Sequence, residues 1–159
     1  MDLKLPLELI SSADVTRLVR EVKTLDDYFV GTKAHRNGAN LVPPRLTRLL
    51  DQLARDNRMN LLEAADRTKL RISLEAVLTK APLLHISFAA EPSPKALERI
   101  LVWIRTNIDP HALLQVGLQP TIAAGCILRT PNKIFDMSLR ASLQQQEDYL
   151  KRLIAGAAR

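Results

Sequence analysis

Leu84-His85-Ile86-Ser87-Phe88 places apolar side chains at every second position, and this stretch decides the fold. A two-residue repeat suits a strand with one buried face, whereas everything before it repeats at three and four. Downstream, Glu91-Pro92-Ser93-Pro94 breaks the strand and offers Ser93 as an N-cap with Pro94 at the first helical position. Leu97, Ile100, Leu101 and Ile104 then form a helical stripe that ends near Asn107. Leu113 to Gln119 reads as a second strand, and Ile122 to Arg129 with Lys133 to Phe135 as a hairpin around Thr130-Pro131-Asn132. Asp136 or Ser138 is expected to cap a last helix whose inward stripe is Leu139, Leu143, Leu150, Leu153 and Ile154.

Upstream the chain is helical. Ser11, Ser12 and Asp14 offer caps for a helix whose stripe is Val15, Leu18, Val19, Val22, Leu25 and Phe29, with Gly31 ending it. Gly31 to Pro44 is punctuated like a loop. Leu46, Leu49, Leu50 and Leu53 mark a second helix. A third runs from about Leu61 to Lys80, with Leu62, Ala65, Leu70, Leu74, Val77 and Leu78 inward and Pro82 as its stop. The expected architecture is α+β: a small helical bundle over 1–82, with a loop at about 31–44, followed over 83–159 by a small sheet covered by two helices.

Composition narrows the function classes. The chain has 159 residues, ordinary globular proportions of 47% apolar and 25% charged residues, and a single cysteine, so an intrachain disulfide framework is excluded. The longest uncharged run, Pro110 to Leu128, contains Pro110, Pro120, His111, Gln115 and Gln119 and is too polar to insert in a membrane. The N-terminal residues lack the pattern of a secretory signal, and a reduced, intracellular, soluble protein is expected. The net charge of +6 is spread along the chain with aromatics at 4%, which is the pattern of solvated helix faces rather than of a nucleic-acid stacking surface.

A search for chemistry returns little. His35, His85 and His111 stand at no metal-ligand spacing, and Cys126 lies in the apolar run Ala123-Ala124-Gly125-Cys126-Ile127-Leu128, where a thiol is usually packing. No phosphate-cradling glycine loop occurs. Asp136 and Ser138 read as capping oxygens rather than as a hydrolytic pair. The expectation is a protein that is not an enzyme and has no metal and no cofactor.

The stretch Gln119-Pro120-Thr121-Ile122-Ala123-Ala124-Gly125-Cys126-Ile127-Leu128-Arg129, followed by Lys133-Ile134-Phe135-Asp136-Met137-Ser138-Leu139-Arg140-Ala141-Ser142-Leu143, resembles the delta subunit of F-type ATP synthases, the family of the mitochondrial oligomycin-sensitivity-conferring protein. Pro120, Gly125, Arg129, Lys133, Asp136, Ser138, Leu139, Arg140 and Leu143 fall on matching positions. Gln119, Ala124 and Met137 replace the family's Asp, first Gly and Asp-Gly-Ser glycine. Leu50 to Leu62, including Asn57-Arg58-Met59-Asn60-Leu61-Leu62, is similar to the junction between the last two helices of the family's N-terminal bundle, and Ser87-Phe88-Ala89 to the first strand of its C-terminal domain. The family's N-terminal domain is a six-helix bundle, for which residues 1–80 are too few.

The resemblance implies a peripheral-stalk (stator) subunit, cytoplasmic and peripheral on the inner face of an energy-transducing membrane. Such a subunit ties the catalytic head to the stalk so that proton-driven rotation drives ATP synthesis. Its implied partners are the alpha subunits and subunit b, with Val15, Leu18, Val22 and Leu25 as candidates for the first contact. Leu143, Leu150 and Ile154 are the candidates for the second. The rival readings are a small basic RNA-binding domain, an enzyme using Cys126 or Asp136 and Ser138, and a stator adaptor of a secretion or flagellar ATPase.

Overall fold

In the computed structural model, the described residues are 3–34, 44–122, 124–130, 132–139 and 146–157. They form a mixed α+β fold in which helices come first and a four-stranded sheet with further helices follows. Two compact units divide the chain: Met1–Leu83 with Glu98–Leu114, and Leu84–Leu97 with Gln115–Arg159. Residues 98–114 therefore group with the helical half, although they follow the first strand in sequence.

The first unit holds α1 (Ser12–Ala34), α2 (Arg48–Asp56), α3 (Ala64–Lys80) and most of α4 (Pro94–Asn107). Ser11 and Asp14 cap α1 reciprocally. The Asp14 N–H donates to Ser11 Oγ at 3.2 Å, while the Ser11 N–H and hydroxyl donate to Asp14 Oδ2 at 3.0 and 2.7 Å, which satisfies donors that a helix start leaves unpaired. Gly31 does not end α1, which runs on to Ala34. A helical glycine costs about 1 kcal/mol relative to alanine but breaks no hydrogen bond, and here three further residues continue the turn. The remainder of the expected loop, 35–43, lies outside the described residues.

Val15, Leu18 and Val22 are fully buried with Leu50, Leu53, Leu70, Leu74 and Val77 in one apolar cluster, and Leu25 is buried as well. On α3 the buried stripe is Arg67, Leu70, Leu74 and Val77. Leu62, expected inward, precedes the helix and is 72% exposed, and Ala65 and Leu78 also face outward. The spacing of three and four from Leu70 leads back to residue 67, so a charged residue occupies the position that the apolar pattern did not mark.

Residues 3–10 are tied down within the first unit. Asn57, the C-cap of α2, receives the Lys4 N–H at Oδ1 (2.8 Å) and donates through Nδ2 to the Lys4 carbonyl (2.9 Å). The Leu114 N–H donates to the Ile10 carbonyl at 2.8 Å.

The sheet has the order β2-β1-β3-β4, with β1 Leu83–Phe88, β2 Leu113–Leu118, β3 Gly125–Arg129 and β4 Ile134–Ser138. β1 and β3 are antiparallel, with His85 opposite Arg129 and Ser87 opposite Ile127. At the two ends of β2 the Leu113 N–H reaches Pro82 O (3.1 Å) and the Gln119 N–H reaches Phe88 O (2.7 Å). The equal offset means that β1 and β2 run parallel, and α4 supplies the crossover such a pair requires. Ser93 caps α4 through the Ala96 N–H, as its position before Pro94 predicts.

Pleating sends Leu84, Ile86 and Leu128 to a buried face and His85 and Arg129 to an exposed one. The expected hairpin is present: β3 and β4 pair antiparallel from Gly125 opposite Ser138 to Arg129 opposite Ile134. Asp136 and Ser138 are part of β4, and α5 spans Glu147–Ala157; residues 140–145, where a helix start capped by them would lie, are outside the described residues. The ladder takes their backbones, and the Ser138 N–H donates to Asp136 Oδ1 at 2.9 Å within the strand.

Candidate functional site

The hairpin that carries the sequence motif begins at a backbone position that only glycine suits. Gly125 has φ +89°, and a Cβ there would strike the Met137 carbonyl oxygen and come within 2.9 Å of Ser138 Cα. This close approach lets the ladder extend to its last pair, after which the Leu139 N–H donates to Ala124 O at 3.0 Å. Met137, where the resembled family has glycine, needs no left-handed backbone. Among the described residues the non-glycine with positive φ is Arg58, just beyond α2.

Pro120 opens a 3-10 turn ahead of β3, Arg129 ends β3, and Leu139 is exposed just past β4. Arg140 and Leu143 lie outside the described residues. Leu150 and Ile154 fall in α5, where Ile154 is 70% exposed. The hairpin thus gathers Gly125, Arg129, Asp136 and Ser138 on adjacent strands, whereas Val15, Leu18, Val22 and Leu25 lie in the core of the first unit. A partner reaching that stripe would have to displace α2 or α3.

The exposed face of the sheet is concave. A groove of about 380 Å³ crosses β2, β1 and β3, lined among others by His85, Ser87, Gln115, Gly117 and Arg129. The side chains of His85, Ser87, Gln115 and Arg129 make no hydrogen bond or ion pair among the described residues. Toward the edge strand β4 the face is mixed, with Ile127 half-buried, Ile134 69% exposed, and Asp136 and Ser138 on the same side of β4. Aromatics are poorly placed for stacking a single strand: Phe88 lies opposite Cys126 and is half-buried, and Phe135 is on the edge.

Cys126 is half-buried in β3, and burial pushes its thiol above the ordinary value, which lowers the thiolate fraction a nucleophile needs. His111 lies 3.1 Å from the Leu3 carbonyl through Nε2. His35 is outside the described residues. No group of three or more His, Cys, Asp or Glu is arranged to hold a metal among the described residues, nor is any described helix long and apolar enough to cross a membrane.

Two charged side chains have roles that periodicity could not reveal. Arg67, 4% exposed, donates to Asp26 through Nε and to the Leu61 and Leu62 carbonyls at 2.9 Å, and its guanidinium lies 4.4 Å from the centre of the Phe29 ring. It joins α1 to the start of α3. Arg105 donates to the carbonyls of Pro6 (2.9 Å) and Leu9 (2.6 Å) in the N-terminal segment and, at 3.4 Å, to those of Leu5 and Ala112, with no carboxylate among its acceptors in the described residues. Burial lowers its pKa to about 10, so it stays charged at neutral pH. Both are arginines inside otherwise apolar stripes, and that placement is the signal by which the sequence marks them.

The sequence matches no family model and no curated protein. Chemically, the described surface offers a polar, donor-rich groove beside a mixed strand edge.

Proposed function

We propose that the chain is a peripheral-stalk subunit of an F-type ATP synthase, a non-catalytic coupler between the alpha/beta head and subunit b. The observation that carries this reading is the hairpin. Gly125, Arg129, Asp136 and Ser138 match the delta-subunit motif, and they lie in one antiparallel ladder that a left-handed Gly125 makes possible. The order of elements supports it too, with helices first, then a strand, a crossover helix, three further strands and a terminal helix. The described N-terminal half has fewer helices than the family's bundle, and its α1 stripe is buried in its own core. In this reading the head is gripped by other surfaces of the first unit, and α5, with Ile154 exposed, faces subunit b.

The test is affinity purification of the tagged full chain from its source membranes, with identification of the chains that accompany it. Recovery of alpha, beta and b subunits together supports the proposal. An intact, rotating ATP synthase from the same cells that lacks the chain overturns it.

A further inference from the structure

The groove on the sheet's exposed face has a donor set that the stalk reading does not use. Its polar lining is a guanidinium, an imidazole, a hydroxyl and a carboxamide, contributed by three neighbouring strands, with no carboxylate among them. His85 and Arg129 are directly opposite in the β1/β3 register, which puts their Cβ atoms roughly 4.5–5.5 Å apart. Two side chains with N–H donors are held side by side, neither paired with an acid among the described residues, and an anion between them would give both a partner. Asp136 shares this face one strand further on, opposite Ile127, and is engaged in contacts of its own.

Ser87 and Gln115 lie on the β1/β2 side of the same groove, and Gly117 keeps its floor open. A Cβ on Gly117 would point toward Ser87 Oγ at 3.8 Å, into the space a ligand needs. At about 30 Å³ per water, the volume holds on the order of ten waters. That is room for an oxyanion with a short polar body.

We propose that this groove is a binding site for a small phosphate monoester. Arg129 takes two phosphate oxygens in its planar fork, His85 takes the third, and Ser87 and Gln115 meet hydroxyls on the organic part. The site stands independently of the stalk reading, since a stalk subunit without it would still couple head to stalk.

The experiment is a two-dimensional amide NMR titration of the full chain with glycerol 2-phosphate, with inorganic phosphate and an oligoglutamate peptide as separate arms. The expected result is saturable shifts confined to β1, β2 and β3, with glycerol 2-phosphate binding at least threefold tighter than inorganic phosphate. Arg129→Gln is expected to weaken binding at least tenfold. Gly117→Val, which fills the groove without altering charge and suits an extended strand, should do the same. Arg99→Gln, an equal charge change on the exposed side of α4, should stay within twofold of the parent. Equal weakening by Arg99→Gln and Arg129→Gln would reduce the effect to diffuse charge and overturn the site. Parental binding in Gly117→Val, equal affinity for the two phosphates, or binding of oligoglutamate alone would each overturn it as well. If Gly117→Val does not fold, the comparison of the two arginine variants decides.

Discussion

Gly125→Ala against Gly117→Ala is a matched pair within one unit, and the structure separates the two by several kcal/mol. At Gly125 the φ of +89° is costly for an L side chain, about 1–2 kcal/mol. The added methyl also meets the backbone of Met137 and Ser138 rather than a side chain that can turn away. Overpacking of this kind adds about 1–3 kcal/mol, and the total is about 3 kcal/mol. At Gly117 the nearest atom is Ser87 Oγ at 3.8 Å, an ordinary contact, and φ is not positive. The expected change there is within about 0.5 kcal/mol, with a slight gain because alanine loses less backbone entropy. Amide hydrogen exchange in the second unit reads the difference. The protons of Leu139 and Ala89, which donate to Ala124 O and Gly125 O, should exchange roughly a hundredfold faster in Gly125→Ala and at nearly parental rates in Gly117→Ala. Equal effects of the two substitutions, or a cost below about 0.5 kcal/mol at Gly125, would refute the claim that the hairpin depends on a left-handed glycine.

Three further outcomes follow from buried charge and burial. Asp26→Ala should destabilise the first unit by about 2–3 kcal/mol in urea unfolding, below the full penalty for a broken buried pair because Asp26 is 29% exposed and Arg67 keeps two carbonyls and Phe29. Adding Arg67→Met should recover part of that loss, since no unpaired buried charge remains. Arg105→Met should free residues 3–10, detected as faster proteolysis of that segment, with a loss of about 1–2 kcal/mol. Cys126 should react with a thiol reagent more slowly than an unfolded control at pH 7–8, because a raised pKa leaves less thiolate. The same shift means that the unfolded chain releases its proton first as pH rises through the ordinary thiol range, so stability from this group falls there.

The elements that sequence periodicity located are those whose neighbours are close in sequence or whose pattern is strongly two-fold or helical. Strand β1, the capped start of α4, the stripe of α1 and the β3–β4 hairpin were legible because alternation, capping residues and turn residues act locally. Gly31 carries the chemistry of a helix stop, yet the helix continues through it, and there a local preference worth about 1 kcal/mol yields to the cooperative hydrogen bonding of the helix. Asp136 and Ser138 carry the chemistry of a helix cap, and pairing with β3 places their backbones in a strand as well.

The sequence by itself determined that the chain is α+β, that a helical part precedes its sheet, and that its charge is spread along the chain rather than clustered. Only the tertiary structure decided that Arg67 is buried and Leu62 exposed, and that residues 98–114 group with the helical half. It also decided that His85, Ser87, Gln115 and Arg129 meet on one open face. Helix and strand patterns record which side of an element is apolar. The pairing of strands distant in the chain, which brings those four side chains together, is set by register and by long-range packing, neither of which a local pattern encodes.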